Sequence, residues 1–253
     1  LPRISERFKD DFINKGQSHI LQYNYQDRLI INMGYSYHYN SIGGAIINNT
    51  IASNSYSIRF NFESAGNIMY ALSKATNIRK NNDGEYAILG IPYAQYVKGE
   101  FDFSKNIRID HRNSFAFHIG MGIAVPYGNA KTIPFEKQYF SGGANSVRGW
   151  TVRDLGPGSF VRDENTNLLD QSGDIKLDAS IEYRSKLFWK FQGAIFVDAG
   201  NIWTIRDYDN QPGGVFKFDK FYKQIAVAYG LGLRLDLDFF ILRFDGGMKA
   251  LNP

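Results

Sequence analysis

Apolar and polar residues alternate at every second position along unusually long parts of this chain. In the segment 114–127 the odd-numbered residues are large and apolar, whereas most even-numbered residues are small or polar, and the segment 224–238 divides in the same way. Because successive side chains of a β-strand point to opposite faces of a sheet, this period predicts strands with two chemically different faces. Further strands are predicted at 57–72 (with a bulge or kink at Ala65-Gly66), 100–110, 174–184, 191–203 and 240–249.

At least eight long strands result when 20–40 is counted as one strand, although it also fits a hairpin that turns at Gln26-Asp27. The connections are rich in Asn, Asp and Gly, and short and long connections alternate. Residues 5–13 are weakly amphipathic and predict a short helix in an external loop. We find no repeat and no second domain, so we expect residues 1–253 to form a single β domain.

Two architectures fit this pattern: a soluble antiparallel sandwich and a transmembrane antiparallel β-barrel. Strands of soluble proteins average about five or six residues, whereas a tilted strand needs about 9 to 11 residues to cross a bilayer, and the alternation here often runs that long. The less apolar face mixes Gly and Ala with isolated charges, which favours a crowded lumen. The barrel is therefore the predicted fold. Aromatic residues that fit an interfacial girdle at its strand ends are Tyr127, Phe188, Trp189 and Trp203.

Composition narrows the functional classes. The net charge of +4 is small and dispersed, which argues against a nucleic-acid partner. Without Cys there is no disulfide framework, and the four His residues lack metal-binding spacing, so we expect no metal and no cofactor. The first residues lack the apolar core of a secretory signal, and we expect the chain to be internal to a longer precursor. Inward charges expected to form a solvated network in the lumen are Arg59, Glu63, Arg234, Asp236, Arg243 and Asp245.

The segment 139–158, YFSGGANSVRGWTVRDLGPG, is too rich in Gly and Pro for a helix or a central strand. It is not a phosphate-binding loop, because neither GKS nor GKT closes it. The DAG tripeptide at 198–200 has no second copy, as an aspartic protease would require. We therefore expect no enzymatic activity.

Three motifs in order, FSGGANSVRGW, DASIEYR and FVDAGNIW, resemble those of the BamA/TamA superfamily of outer-membrane assembly factors. The resemblance implies the second half of a sixteen-stranded barrel. It also implies that the periplasmic POTRA domains, the first strands and the last strand lie outside this chain. The segment Val147-Arg148-Gly149-Trp150 would sit in a long external loop, at about 128–173, that folds back into the barrel. The RDLGPG continuation at 153–158 resembles the TamA-like branch.

Alternation places Glu182 and Asp198 inward on neighbouring strands, where a guanidinium can bond to both carboxylates. Phe196 then also points inward and breaks the pattern. In the family the matching arginine makes this contact, so the resemblance gives Arg148 the role of a latch. The glycines Gly142, Gly143 and Gly149 would allow tight turns and close backbone approach.

The resemblance implies a factor of the Gram-negative outer membrane that assists the insertion or folding of β-barrel proteins, or the export of autotransporter-like clients. Expected partners are the lipid bilayer, unfolded β-barrel clients and accessory assembly subunits. Two alternatives stay open. One is a passive pore for solutes, and the other is a secretion pore for one dedicated exoprotein.

Overall fold

The computed structural model of the protein describes residues 27–41, 54–161, 170–237 and 239–253. Within these residues one sheet has eight strands, in the order β1-β2-β5-β6-β7-β8-β9-β10, and β3 pairs with β4 in a short hairpin. The elements are β1 (Asn32–Asn40), β2 (Asn54–Ala65), α1 (Asn67–Ala75), β3 (Ala87–Ile88), β4 (Ile91–Pro92), β5 (Tyr96–Arg108), β6 (Asn113–Pro126), β7 (Ile175–Lys186), β8 (Phe191–Trp203), β9 (Ala226–Asp236) and β10 (Ile241–Leu251).

The predicted antiparallel β architecture is confirmed, and β8 has the predicted bounds. The hairpin of β3 and β4 was not predicted, because its strands have two residues each and carry no readable period. The predicted helix at 5–13 and the segment 20–26 lie outside the described residues. No helix in the described parts of the chain is long and apolar enough to cross a membrane.

The predicted strand at 57–72 is wrong in its second half. The strand β2 ends at Ala65, and α1 follows it directly. Gly66 separates the two elements with a φ of +75°, in the left-handed region that favours glycine. A Cβ on Gly66 would lie 2.2 Å from the backbone oxygen of Ala94. The chain therefore changes conformation at Gly66, and the helix-forming sequence NIMYALSKA can continue as a helix.

The division of the strands into two faces is confirmed. In β6 the side chains of Ile119, Met121 and Ile123 are exposed, whereas Gly120 and Gly122 between them are buried. We call the face with the exposed large residues the apolar face and the opposite one the polar face. Exposed apolar residues alternate with buried small or charged ones in β8 and β9 as well. This is the reverse of the pattern in a soluble protein, whose exposed face is the polar one.

Connections at the two ends of the strands differ in length. Short turns join β5 to β6, β7 to β8 and β9 to β10, whereas the long segments 127–174 and 204–225 lie at the opposite end. In the first short turn, Asp110 accepts hydrogen bonds from the side chain of Asn113 at 2.8 Å and from the backbone N–H of Arg112 at 2.7 Å. These bonds hold the pKa of the Asp110 carboxyl below its usual value.

The chain divides into two compact units. Of the described residues, the first unit contains 27–34, 62–98 and 124–138, and the second contains 35–41, 54–61, 99–123, 139–161, 170–237 and 239–253. In the first unit, the buried Gln95 accepts a hydrogen bond from the backbone N–H of Asn129 at 2.8 Å, which ties two connections together. The second unit contains every candidate site residue.

Trp203 does not belong to an aromatic girdle, contrary to the prediction. Its side chain is fully buried in the second unit and packs edge-on against Phe216 and Phe221. Phe188 and Trp189 in the short turn after β7 are exposed, as a girdle requires. The sequence did not show that Trp203 differs from Phe188 and Trp189. The residues that cover Trp203 belong to the long connection after β8, and the alternation within β8 says nothing about where that connection packs.

Candidate functional site

The candidate site is built around the segment Gly142 to Trp150, which we call the latch. The backbone N–H of Gly143 donates to the oxygen of Trp150 at 2.8 Å and closes this segment into a loop. Gly142 has a φ of +94°, and a Cβ there would lie 2.1 Å from the backbone oxygen of Thr151. Glycine is therefore required at 142 both for the backbone conformation and for the close approach.

The latch lies on the polar face of β9. Val147 and Trp150 are buried in a cluster with Leu155 and the small residues Ala226 and Ala228. A Cβ on Gly149 would lie 2.8 Å from the Cβ of Ala228, so glycine brings the backbone of the latch close to the strand. The small residues of the polar face thus form a floor under the latch, in agreement with the crowded lumen that the sequence predicted.

Arg148 binds two carboxylates at once. Its Nε and Nη2 donate to the two oxygens of Asp198 at 2.7 and 2.8 Å, and its Nη1 donates to Glu182 at 2.8 Å. The backbone N–H of Arg148 also donates to Asp198, at 3.1 Å. The planar guanidinium suits this arrangement, since its donors form a rigid fork that matches a carboxylate. The geometry brings together the three residues that sequence reasoning placed in contact.

The register of β7 and β8 explains why the two carboxylates meet. Ser180 pairs with Asp198, and Glu182 pairs with Phe196, so Glu182 and Asp198 are diagonal neighbours on the polar face. The side chain of Asp198 is completely buried, and that of Glu182 is 5% exposed. Buried carboxylates need charged partners, because leaving one unpaired in a low-dielectric environment is very unfavourable.

The two carboxylates do not depend equally on the latch. Within the described residues, every hydrogen bond that Asp198 accepts comes from Arg148. Glu182 also accepts hydrogen bonds from Arg184, at 2.6 Å, and from Arg234. Asp198 is therefore the carboxylate that loses its partner when the latch leaves, whereas Glu182 keeps two arginines.

Phe196 is a site residue that sequence reasoning missed. The guanidinium carbon of Arg148 lies 3.4 Å from the centre of its ring, which is buried. An arginine above an aromatic face gains a cation–π interaction that is stronger when water is excluded. The signal was visible as the residue that broke the alternation of β8, but only the position of the latch gives the aromatic side chain its role.

Asp245 is another contact that the sequence did not assign to the latch, at 3.4 Å from Nη1 of Arg148. Arg234 and Asp245 were expected in a solvated network, and that expectation is wrong for both. The side chain of Arg234 is 8% exposed and that of Asp245 is 7% exposed. Both side chains belong to the buried ion-pair cluster around Glu182 and Arg148.

We expect Phe196→Leu to weaken the attachment of the latch without removing its ion pairs. Leucine keeps an apolar side chain but has no aromatic face, so the loss is about 1 to 2 kcal/mol in the stability of the folded protein. The measurement is the denaturant midpoint of the full-length protein. Phe244→Leu, on the apolar face of β10, serves as the control. Equal midpoints for the two variants would contradict a contribution from the ring.

An exposed apolar face opposite a polar face that is covered by an ion-paired loop defines a β protein of the outer-membrane type. Residues 12–252 match the Omp85 superfamily domain, and the chain belongs to this superfamily. It is an integral outer-membrane protein of the β-barrel class.

The chain is similar to one protein of assigned function and to one solved structure. Over 99 residues it is 35% identical to the outer membrane protein assembly factor BamA of Neisseria meningitidis serogroup B. This alignment covers 36% of this chain and 12% of that protein. The crystal structure of BamA from Haemophilus ducreyi lacking POTRA domains 1–3 aligns with a TM-score of 0.49 and 17% identity. That alignment covers 88% of this chain and 51% of the other. The chain thus spans about half or less of the length of these relatives.

Proposed function

We propose that this chain is the C-terminal part of the barrel of an outer-membrane assembly factor, which assists the insertion or folding of β-barrel proteins or the export of autotransporter-like clients. The observation that carries the proposal is the latch, held on the polar face by Arg148 through Asp198 and Glu182. Sequence identity to an outer membrane protein assembly factor supports it. The role requires no covalent chemistry, and we propose that the protein is not an enzyme.

The burial of the polar face favours this function over a passive pore. A solute channel keeps charged side chains in contact with the water that fills it. Here the side chains of Asp198 and Glu182 are almost fully buried beneath the latch. A factor that handles polypeptides needs no permanently open path, so a polar face covered by an ion-paired segment is compatible with this role.

The finer assignment is to the TamA-like branch, with a small set of clients, and it rests on the RDLGPG segment. Gly156 in this segment has a φ of +79°, and its Cβ would lie 2.3 Å from Oδ1 of Asn201. The segment after the latch thus packs closely on the end of β8, so its glycine is structurally required. Accessory subunits and the outer-membrane bilayer are the further partners that we propose.

The test is quantitative proteomics of outer membranes after depletion of the full-length protein, with plasmid copies of the wild type and of Arg148→Glu. We expect a group of unrelated β-barrel proteins to fall on depletion, and Arg148→Glu to restore them poorly. Arg112→Glu reverses a charge in an exposed short turn and should restore them fully.

The outcomes separate the candidate functions. Loss of many barrel proteins indicates a general insertase, whereas loss of a few supports the TamA-like assignment. Loss of a single exported protein favours the dedicated secretion pore. An unchanged inventory of barrel proteins contradicts the proposal, and it would favour a passive pore if the purified protein also conducts selected solutes across a bilayer.

A further inference from the structure

The polar face of β10 carries residues that contact the latch between Ala144 and Trp150. Four alternate residues of this strand each contact the backbone or a side chain of the latch. Because alternate residues of a strand share one face, these contacts come from a single surface of β10. The four residues are Arg243, Asp245, Gly247 and Lys249.

Arg243 binds the tip of the latch, by which we mean Ala144 and Asn145. Its Nη2 donates to the backbone oxygen of Ala144 and, at 3.1 Å, to Oδ1 of Asn145. Neither tip residue contacts Asp198 or Glu182 in the described structure. The contact therefore acts on a part of the latch that the ion pairs of Arg148 do not reach.

Asp245 links the two arginines. One of its oxygens lies 3.0 Å from Nε of Arg243 and 3.4 Å from Nη1 of Arg148. A Cβ on Gly232, the residue that pairs with Asp245 in β9, would lie 2.4 Å from the carboxylate, so glycine makes room for this side chain. The position of the carboxylate between two guanidinium groups is thus set by the strand pair.

Gly247 and Lys249 complete the surface. A Cβ on Gly247 would lie 2.4 Å from the backbone oxygen of Arg148, so the backbone of the latch rests directly on the strand. The ammonium of Lys249 lies 5.0 Å from the centre of the Trp150 ring. The neighbouring Gly246 points to the other face, and a Cβ on it would meet only one atom, at 4.0 Å.

From this arrangement we infer that the polar face of β10 is a second docking surface for the latch. The first docking surface is formed by the carboxylates of Glu182 on β7 and Asp198 on β8. Arg243 sets the position of the tip, whereas Arg148 sets the position of the deeper part. The tip is therefore able to leave β10 while Arg148 stays bound. This goes beyond the proposed function, because it assigns to β10 a positioning role that does not depend on which clients are assembled.

The chain contains no Cys, so single cysteines introduced into it are clean reporters once any cysteine elsewhere in the full-length protein is replaced by serine. A spin label on Ala144→Cys reports on the exposed tip. The rate of thiol labelling at Val147→Cys reports on the deeper part, where Val147 is completely buried. Both are measured in the full-length protein in its membrane.

The first arm compares Arg243→Ala with Arg148→Ala. We expect Arg243→Ala to raise the ratio of mobile to immobile label at the tip about two- to tenfold, as the net contribution of one or two hydrogen bonds predicts. It should leave Cys labelling at Val147→Cys unchanged. Arg148→Ala should raise the rate of thiol labelling at Val147→Cys and leave the mobility of the label at the tip unchanged. If Arg243→Ala leaves the tip immobile, or if each variant moves both reporters equally, the second docking surface is refuted.

The second arm compares adjacent glycines. Gly247→Ala places a methyl group against the latch backbone and should raise labelling at Val147→Cys about ten- to a hundredfold, which corresponds to the usual effect of overpacking. Gly246→Ala should leave the rate at the wild-type value. Equal rates for these two variants would also overturn the inference. If Gly247→Ala fails to fold, the first arm still decides, since it requires no added volume.

Discussion

Arg148→Glu is expected to destabilise the folded protein by at least about 3 to 5 kcal/mol, the usual effect of breaking a buried ion pair. The variant removes both side-chain hydrogen bonds that Asp198 receives, and in the described structure only the backbone N–H of residue 148 is left as its donor. It also brings a new carboxylate next to three others, those of Asp198, Glu182 and Asp245. Each contact at about 4 Å is worth about 4 kcal/mol at an effective dielectric near 20, and the charge reversal turns this attraction into repulsion.

The measurement is the denaturant midpoint, together with thiol labelling at Val147→Cys as the reporter of latch release. Adding Asp198→Arg to Arg148→Glu should recover part of the loss, because one ion pair of reversed polarity forms again. Glu182 needs no change, since Arg184 and Arg234 continue to neutralise it. Arg112→Glu is the control for charge reversal alone. If Arg148→Glu were as stable as the wild type, the proposal that Arg148 attaches the latch through stabilising ion pairs would be wrong.

Gly142→Ala is expected to have the second largest effect. Its φ of +94° is unfavourable for alanine, at about 1 kcal/mol, and the added methyl group collides with the oxygen of Thr151. Displacement of the backbone around such a collision adds about 1 to 3 kcal/mol. The latch should therefore open at its base, and we expect faster thiol labelling at Val147→Cys and a lower denaturant midpoint.

Gly84→Ala is the matched control for this variant. Gly84 also has a positive φ, of +78°, but nothing lies within 4 Å of the position of its Cβ. It should show only the conformational part of the loss, about 1 kcal/mol. If the two variants were equally stable, the close approach to Thr151 would have no energetic weight, and glycine at 142 would be explained by its backbone conformation alone.

Much of the fold was predictable, because alternation with a period of two is a local property of a strand and does not depend on how the strands are arranged in the sheet. The faces of β6, β8 and β9 followed from it directly. The error after Ala65 shows the limit of the method. A few apolar residues in α1 fit both periods, and only the approach of Gly66 to Ala94 shows that the strand stops there.

The meeting of Arg148 with Glu182 and Asp198 was expected from motif resemblance and from strand parity. Parity puts both carboxylates on one face, and the register of β7 and β8 then makes them diagonal neighbours. The role of Phe196 was not readable, since a break in the alternation of a strand shows that the ring points inward but not what it contacts. Its ring acquires a role only when the loop returns across the sheet.

The sequence by itself determined the alternation of the strands, the face on which each side chain lies, the glycine-rich character of the latch and its single arginine. These are properties of neighbouring residues, and short-range stereochemistry is sufficient to set them. Only the tertiary structure decided that Asp245 and Arg243 contact the latch, that Trp203 is covered, and that among the described residues Asp198 accepts hydrogen bonds from Arg148 alone. These contacts depend on where a loop packs after the sheet has formed, and no local period encodes that position.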